Sequence, residues 1–148
     1  MDNFDDMIIG QIKEYCSLLQ MWNSSYEEYA KSVGLSFTSL SILSAIFSNE
    51  KCTQKKLCEI CFLPKQTVNA VITSFIKKEW IKMEEDPEDR RSKIIILTDR
   101  GKTVGDGIIK NVRESERNAM LNLSKEERDA LINSTKRYVS LCRESLLK

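Results

Sequence analysis

Apolar residues recur along the chain at two different spacings, one helical and one alternating. Between Phe4 and about Ser32 they return every third or fourth position, which predicts one long amphipathic helix. Gly34 ends this helix, and Ser36 with Thr38 can cap a second one. The first third of the chain is therefore predicted to be helical.

The middle of the chain changes from the helical to the alternating period. Thr53 can cap a short third helix over 54–61, and Pro64 suits the first turn of a fourth helix that continues to about Lys78. Beyond it, alternation and a turn at Asp86-Pro87 predict a β-hairpin that ends with the isoleucine-rich stretch 93–97.

Two more helices complete the predicted elements. Thr98 and Asp99 can cap a fifth helix, although its glycines weaken the first turns. Ser124 and Glu127 have the spacing of a capping box at the start of a sixth helix. The predicted fold class is mainly α with a small antiparallel β-hairpin.

The order of these elements indicates a DNA-binding architecture. A short helix, a turn, a second helix and a hairpin, all within about fifty residues, are typical of a winged helix-turn-helix. We expect a single domain over 1–148, with the DNA-binding lobe at 36–101. The terminal helices, 1–33 and 104–148, have apolar stripes but few neighbours in a small lobe, which predicts dimerisation helices and a homodimer.

Charge is unevenly distributed, although the net charge is only +1. Residues 1–50 carry 2 basic and 7 acidic side chains, whereas residues 51–103 carry 12 basic and 8 acidic ones. Residues 104–148 carry 9 basic and 7 acidic side chains. A basic middle third suits phosphate contact, and a merely solvated charged surface accounts for it equally well.

One face of the fourth predicted helix carries no carboxylate. Its opposite, apolar face is predicted to be buried and consists of Val68, Val71, Ile72, Phe75 and Ile76. Lys, Gln, Asn and Thr side chains can read base edges in the major groove, and they are also ordinary polar cover on a soluble helix. The outward residues are Lys65, Gln66, Asn69, Ala70 and Thr73.

The predicted hairpin tip carries Arg90 and Arg91 side by side. Arginines on such a loop can enter a minor groove or bind phosphates. Asp89 lies two residues before Arg91, where it could orient the guanidinium. The alternative is a solvated turn in which the aspartates and arginines simply offset one another.

The run TQKKLCEICFLPKQTVNAVITSFIKKEWIKMEEDPEDRRSKIIILTDRGK resembles the DNA-binding half of the MarR family of bacterial transcription regulators. D-P-E-D-R-R, an apolar strand and L-T-D-R-G-K resemble that family's wing signature. The resemblance implies a homodimer whose two fourth helices enter successive major grooves of a pseudo-palindromic operator. It also implies a repressor that responds to a small-molecule effector.

The family's wing pair of Asp and Arg maps onto Asp89 and Arg91, which assigns Arg91 to the minor groove and Arg90 to the nearby backbone. Our predicted DNA-contacting residues are Thr53, Gln54, Lys65, Gln66, Thr67, Asn69, Ala70, Thr73, Asp89, Arg90, Arg91 and Lys93.

The chain departs from the family pattern at three places. Phe62 stands where the turn often has glycine, and Ala70 where the recognition helix often has arginine. Glu79-Trp80 replaces the usual Gly-Leu pair at the end of that helix. We therefore expect Phe62 and Glu79 to adopt tight turns without the conformational freedom of glycine.

Enzymatic chemistry finds little support in the composition. The chain has no histidine, and we identify no nucleophile and base pair, no catalytic residue and no phosphate-binding glycine loop. Cys58 and Cys61 would need further ligands to hold zinc, and only Cys52 is near, so we predict buried packing, no metal site and no cofactor.

The first predicted helix carries the candidate residues for an effector or redox site. Trp22 and Tyr26 could line a ligand cleft, but at helical spacing they favour core or dimer contacts. Cys16 resembles the reactive cysteine of a peroxide-sensing branch of the family, with Gln20 in place of the activating hydroxyl. The alternatives are a redox-sensing regulator that uses Cys16 and a winged-helix protein-interaction module without DNA binding.

The compartment is predicted from what the sequence lacks. Its longest apolar runs fall far short of the roughly 20 residues of a membrane span, so no membrane partner is expected. The acidic start resembles no signal peptide, which leaves the cytoplasm as the default.

Overall fold

The computed structural model describes residues 3–148, which form six helices and three strands. The chain divides into two compact units, the first ending at Ile109 and the second running from Lys110 to Lys148. In chain order the elements are α1 (Asn3–Ser32), α2 (Phe37–Ser48), β1 (Cys52–Thr53), α3 (Gln54–Cys61), α4 (Lys65–Lys77), β2 (Ile81–Glu85), β3 (Lys93–Leu97), α5 (Asp99–Leu121) and α6 (Lys125–Leu146).

The predicted hairpin is one part of a three-stranded antiparallel sheet with the order β1-β3-β2. β2 and β3 form the hairpin, with Ile81 opposite Leu97 and Glu85 opposite Lys93. The predicted hairpin is confirmed, and β1 adds Cys52 and Thr53 along the other edge of β3 as a third strand that the sequence did not predict. A strand of two residues is too short for alternation to reveal it.

The core of the first unit lies among α2, α3, α4, the first half of α5 and the sheet. The largest fully buried side chains are Phe75, Ile42, Leu43, Leu57, Ile109, Val68 and Cys52. The predicted apolar stripe of α4 is confirmed at Val68, Val71, Ile72 and Phe75. The predicted burial of Ile76 was wrong, since its side chain is 43% exposed. Ile76 lies at the edge of the stripe, near the end of the helix.

Local capping follows the sequence closely. The hydroxyls of Ser36 and Thr53 accept backbone N–H groups at the starts of α2 and α3, as predicted. Thr98 Oγ1 likewise accepts the N–H of Gly101, 3.0 Å away, in the first turn of α5. Pro64 is the residue before α4, in extended conformation and with no side-chain cap, so the helix begins one residue later than predicted.

Two glycines of α5 permit close approaches that no other residue would allow. A Cβ on Gly101 would lie 1.9 Å from the carbonyl oxygen of Trp80, and one on Gly105 would lie 2.3 Å from the ring of Phe47. These glycines therefore allow the start of α5 to pack against the turn that follows α4 and against α2, at the expense of helix propensity.

The second unit contains the end of α5 and all of α6. The predicted capping box is confirmed, because Ser124 Oγ accepts the N–H of Glu127 while the Glu127 carboxylate accepts the N–H of Ser124. No residue of α6 is buried. Its exposed apolar side chains include Leu131, Ile132, Tyr138, Val139 and Leu141.

Among residues 3–148, no single helix has the length and apolar composition of a membrane span. One pair, Phe4–Ser32 with Phe37–Ser48, meets the criteria by length and composition only, and it is bent by 85°.

Candidate nucleic-acid interface

The outward face of α4 is a polar surface without carboxylates. The buried residues Val68, Val71 and Phe75 hold the opposite face against the core. The five residues predicted to point outward are all exposed: Lys65, Gln66, Asn69, Ala70 and Thr73. Thr67 is half-buried at the side of the helix. The face thus offers one cation, hydrogen-bonding amides and a hydroxyl to a ligand.

Gln54 and Thr53 have structural contacts at the junction of α3 and α4. Gln54 Nε2 donates to the carbonyl oxygen of Lys65 across 3.4 Å, which ties the start of α3 to the first turn of α4. Thr53 Oγ1 accepts the N–H of Lys56 at 3.2 Å and caps α3. Both side chains are half-buried, so they support the orientation of α4 as well as bordering its surface.

Hydrogen bonds within the loop between β2 and β3 define the wing, residues 86–92. The N–H of Asp86 donates to the carbonyl of Ser92, and the Asp86 carboxylate accepts the N–H of Glu88. The Asp89 carboxylate accepts the backbone N–H of Arg91 at 3.1 Å. Asp89 therefore orders the backbone of the loop, and our expectation that it orients the Arg91 guanidinium is not met.

Arg90 and Arg91 are exposed at this loop, and within residues 4–148 neither guanidinium forms an ion pair. Lys93 is exposed as well, at the first position of β3. The wing and the first residue of β3 together present three cationic side chains that form no ion pair with any residue in that range.

Lys51 is a basic residue of this region that the sequence analysis missed. Its Nζ lies 2.9 Å from a carboxylate oxygen of Glu88, so it joins the start of β1 to the wing loop. The hydrogen bond to Glu88 raises the pKa of Lys51 above its usual value. Because this contact depends on the unpredicted strand β1, only the basic charge of the region could have pointed to Lys51.

The cysteines occupy different environments. Cys52 is buried, and Cys58 and Cys61 are half-buried, which is less than the buried packing we expected for that pair. Burial raises the pKa of the Cys52 and Cys61 thiols and so favours their unreactive protonated form. Within the described part of the chain no group of three or more His, Cys, Asp or Glu residues could hold a metal ion.

The predicted effector residues lie on α1. Cys16 is exposed, and so is Trp22. The Trp22 and Tyr26 rings make an edge-to-face contact with centroids 5.5 Å apart, and Tyr26 contacts Phe37 at 5.9 Å. The structure therefore brings Trp22 and Tyr26 together, with Cys16 about two helical turns away along α1.

Taken together, α3, the turn, α4 and the wing form a winged helix-turn-helix. The MarR family model matches residues 33–92, which cover this region. The transcriptional regulator SarZ of Staphylococcus epidermidis is 30% identical over 115 residues, 78% of this chain and 76% of SarZ. SarZ of Staphylococcus aureus is 29% identical over 119 residues, with the same coverage. The chain belongs to the MarR family and is a DNA-binding transcription regulator.

Solved structures confirm the fold. A MarR family regulator from Neisseria meningitidis superposes with a TM-score of 0.78 at 18% identity, covering 92% of this chain and 96% of that one. BpsR of Bordetella bronchiseptica, whose DNA binding is regulated by 6-hydroxynicotinic acid, superposes with a TM-score of 0.67 at 17% identity, covering 88% and 92%. The relatives and fold neighbours are transcription regulators rather than enzymes.

Proposed function

We propose that this regulator acts as a homodimeric, ligand-responsive repressor on a pseudo-palindromic operator. Each protomer would place α4 in a major groove and its wing in the flanking minor groove. The two-fold axis would set the half-sites about one helical turn apart. The proposed contacting residues are those predicted above, with Thr53 and Gln54 also orienting α4.

The observation that carries this proposal is the carboxylate-free outward face of α4 together with the wing arginines, which form no ion pair within the described part of the chain. DNA repels carboxylates and attracts cations, and base edges need donors and acceptors that are not already used inside the protein. Gln66 and Asn69 are exposed amides of the kind that can pair with adenine. Arg91 provides the charge for the narrower groove.

Dimerisation is supported by apolar side chains that each unit leaves uncovered. In the first unit, α1 exposes Met7, Ile12, Leu18 and Trp22, among others. In the second unit, α6 exposes Leu131 and Leu141 and buries no residue. Apolar surface on this scale marks a protein interface, and the terminal helices 1–33 and 104–148 are the segments that we propose to form it around the lobe at 36–101.

Effector response would work through the spacing of the two α4 helices. A ligand that binds better to a dimer with wrongly spaced helices shifts the population towards it and so releases DNA. The Trp22 and Tyr26 rings offer an aromatic surface for such a ligand. BpsR provides a precedent for control by a small aromatic acid within this fold.

Selection from a randomised duplex library tests the DNA-binding surface. The wild-type protein should enrich a two-fold symmetric sequence. Asn69→Ala should relax the preference at one base pair of each half-site by about tenfold, because one bidentate base contact discriminates by roughly 1–3 kcal/mol. Asn111→Ala, at an exposed position of α5, is the matched control and should recover the wild-type sequence.

Absence of any enriched sequence would favour the alternative of a protein-interaction module. A preference unchanged by Asn69→Ala would contradict the role proposed for α4.

Redox control is a second candidate, favoured by the exposure of Cys16. Treatment with an organic hydroperoxide would oxidise an accessible thiol, first to the sulfenic acid. We expect loss of DNA binding in the wild type and retention of binding in Cys16→Ser. Unchanged affinity of the treated wild-type protein would end this candidate.

A further inference from the structure

Phe62, in the turn between α3 and α4, combines a strained backbone with an uncovered ring. Its φ is 53° in the left-handed region, and its side chain is 81% exposed. The N–H groups of Phe62 and Leu63 both donate to the carbonyl of Cys58, which closes α3. Glycine is the usual residue for this helix ending, because a Cβ disfavours the left-handed conformation.

Packing within the lobe does not compensate this strain. A ring that remains 81% exposed gains little from burial and leaves apolar surface in water. Glycine at this position would relieve the backbone and remove the apolar surface at once. Burial of the ring therefore does not explain phenylalanine at this position, and backbone strain of this kind is typical of ligand-binding sites, which points to a partner that covers the ring.

The position of the turn indicates that the partner is DNA. Phe62 lies two residues before Pro64, which precedes the first turn of α4 with its exposed Lys65 and Gln66. The hydrogen bond from Gln54 to Lys65 holds the start of α4 against α3. Phe62 thus lies three residues before Lys65, next to the end of α4 that the proposed function directs into the major groove.

We propose that Phe62 is a DNA-contacting residue whose ring covers an apolar part of the duplex. This inference rests on the proposed function of the α4 surface. The apolar parts of DNA within reach of a groove are thymine methyl groups and the faces of deoxyribose. Because the ring is uncharged, its contact contributes affinity that does not depend on salt, unlike the contacts of the lysines and arginines.

The Phe62→Gly variant distinguishes the effect of the ring on DNA affinity from the effect of the strained backbone on stability. The probe is the duplex enriched by the wild-type protein, and affinity is measured by fluorescence anisotropy. Removal of the strain should raise Tm by about 2–4 °C. Removal of the ring should weaken binding about tenfold without changing the salt dependence. Phe62→Leu, which keeps an apolar side chain, should retain part of the affinity.

Glu79→Gly is the matched control, because Glu79 is the other non-glycine residue with positive φ, 59°, among those described. It should raise Tm in the same way and should not weaken DNA binding, since it also removes a carboxylate that pairs with Arg100 at 3.1 Å. A similar loss of affinity in Glu79→Gly and Phe62→Gly would overturn the inference, since relief of strain alone would then explain both.

Replacement of thymine by deoxyuracil in the duplex distinguishes the two apolar surfaces. If the ring contacts a methyl group, one replacement weakens wild-type binding and has no effect on Phe62→Gly. If it contacts deoxyribose, no replacement separates the two proteins, while Phe62→Gly still binds more weakly. Phe62→Gly affinity within twofold of the wild type contradicts the inference alone, whereas failure of the wild type to enrich any duplex contradicts the proposed function as well.

Discussion

Gly101 shows how one residue allows the start of α5 to lie against the turn that follows α4. The Thr98 hydroxyl donates to the carbonyl oxygen of Glu79 at 2.6 Å, and the N–H of Thr98 donates to the carbonyl oxygen of Trp80 at 3.0 Å. The same oxygen lies where a Cβ on Gly101 would be placed. The turn after α4, the end of β3 and the start of α5 therefore meet at a point that has no room for a side chain.

Gly101→Ala should destabilise the protein by about 2–3 kcal/mol, because the new methyl group would displace backbone atoms rather than a flexible side chain. Gly107→Ala is the matched control in the same helix, where a Cβ meets nothing within 4 Å. It should stabilise by about 0.5–1 kcal/mol through helix propensity. Urea denaturation of both variants measures the difference. Equal effects would contradict the close packing at Trp80.

The sequence predicted those features of single residues that depend only on neighbours along the chain. The caps at Ser36, Thr53 and Ser124 follow from residues within three positions, and each is confirmed. The sequence also indicated that Phe62 and Glu79 would have to form turns without glycine, and both have positive φ. It could not predict the ion pair of Lys51 with Glu88 or the contact of Gly101 with Trp80, because each partner lies far away in sequence.

The elements were predicted to the extent that they were long enough to show a period. All six helices and the β2–β3 hairpin are confirmed, since each repeats its pattern over at least one turn or several alternations. β1 was missed because two residues have no period, and its pairing with β3 arises only in the folded unit. Ile76 was wrongly predicted to be buried for a related reason, since periodicity locates the centre of a buried stripe better than its edge.

The start of α6 provides a prediction for an element. Ser124→Ala removes the hydroxyl that accepts the Glu127 N–H at 3.1 Å, and it should cost about 1 kcal/mol. Ser140→Ala, at an exposed interior position of the same helix, is the control and should change stability by less than about 0.5 kcal/mol. Denaturant titration at a fixed protein concentration compares them. A Ser124→Ala variant as stable as the wild type would mean that the cap does not hold the helix.

Both terminal helices of the molecule, α1 and α6, expose apolar side chains along their length. We attribute the exposed residues of α1 and α6 to a homodimer interface, of more than about 2,000 Å² if the dimer is obligate. Neither the partner nor the interface geometry could be predicted from the sequence, because an apolar stripe shows only that a helix needs a neighbour.

Light scattering at micromolar concentration should give twice the chain mass for the wild type. Leu141→Glu introduces a charge at an apolar residue of α6 that is 56% exposed, and it should shift the protein towards the monomer. Ser140→Glu adds the same charge at the neighbouring position, and the dimer should persist. A wild-type monomer, or equal dissociation of both variants, would contradict this interface.

The salt dependence of operator binding is the most direct test of whether α4 and the wing form the DNA-binding surface. On the duplex enriched by the wild-type protein, affinity should fall steeply as salt rises, because cations of α4 and the wing displace counterions. Arg91→Ala should weaken binding and reduce the slope of log Kd against log salt by about one per protomer, whereas Arg117→Ala, at an exposed position of α5, should change neither. Wild-type affinity that is insensitive to salt, or an Arg91→Ala variant indistinguishable from Arg117→Ala, would contradict the assignment of α4 and the wing as the DNA-binding surface.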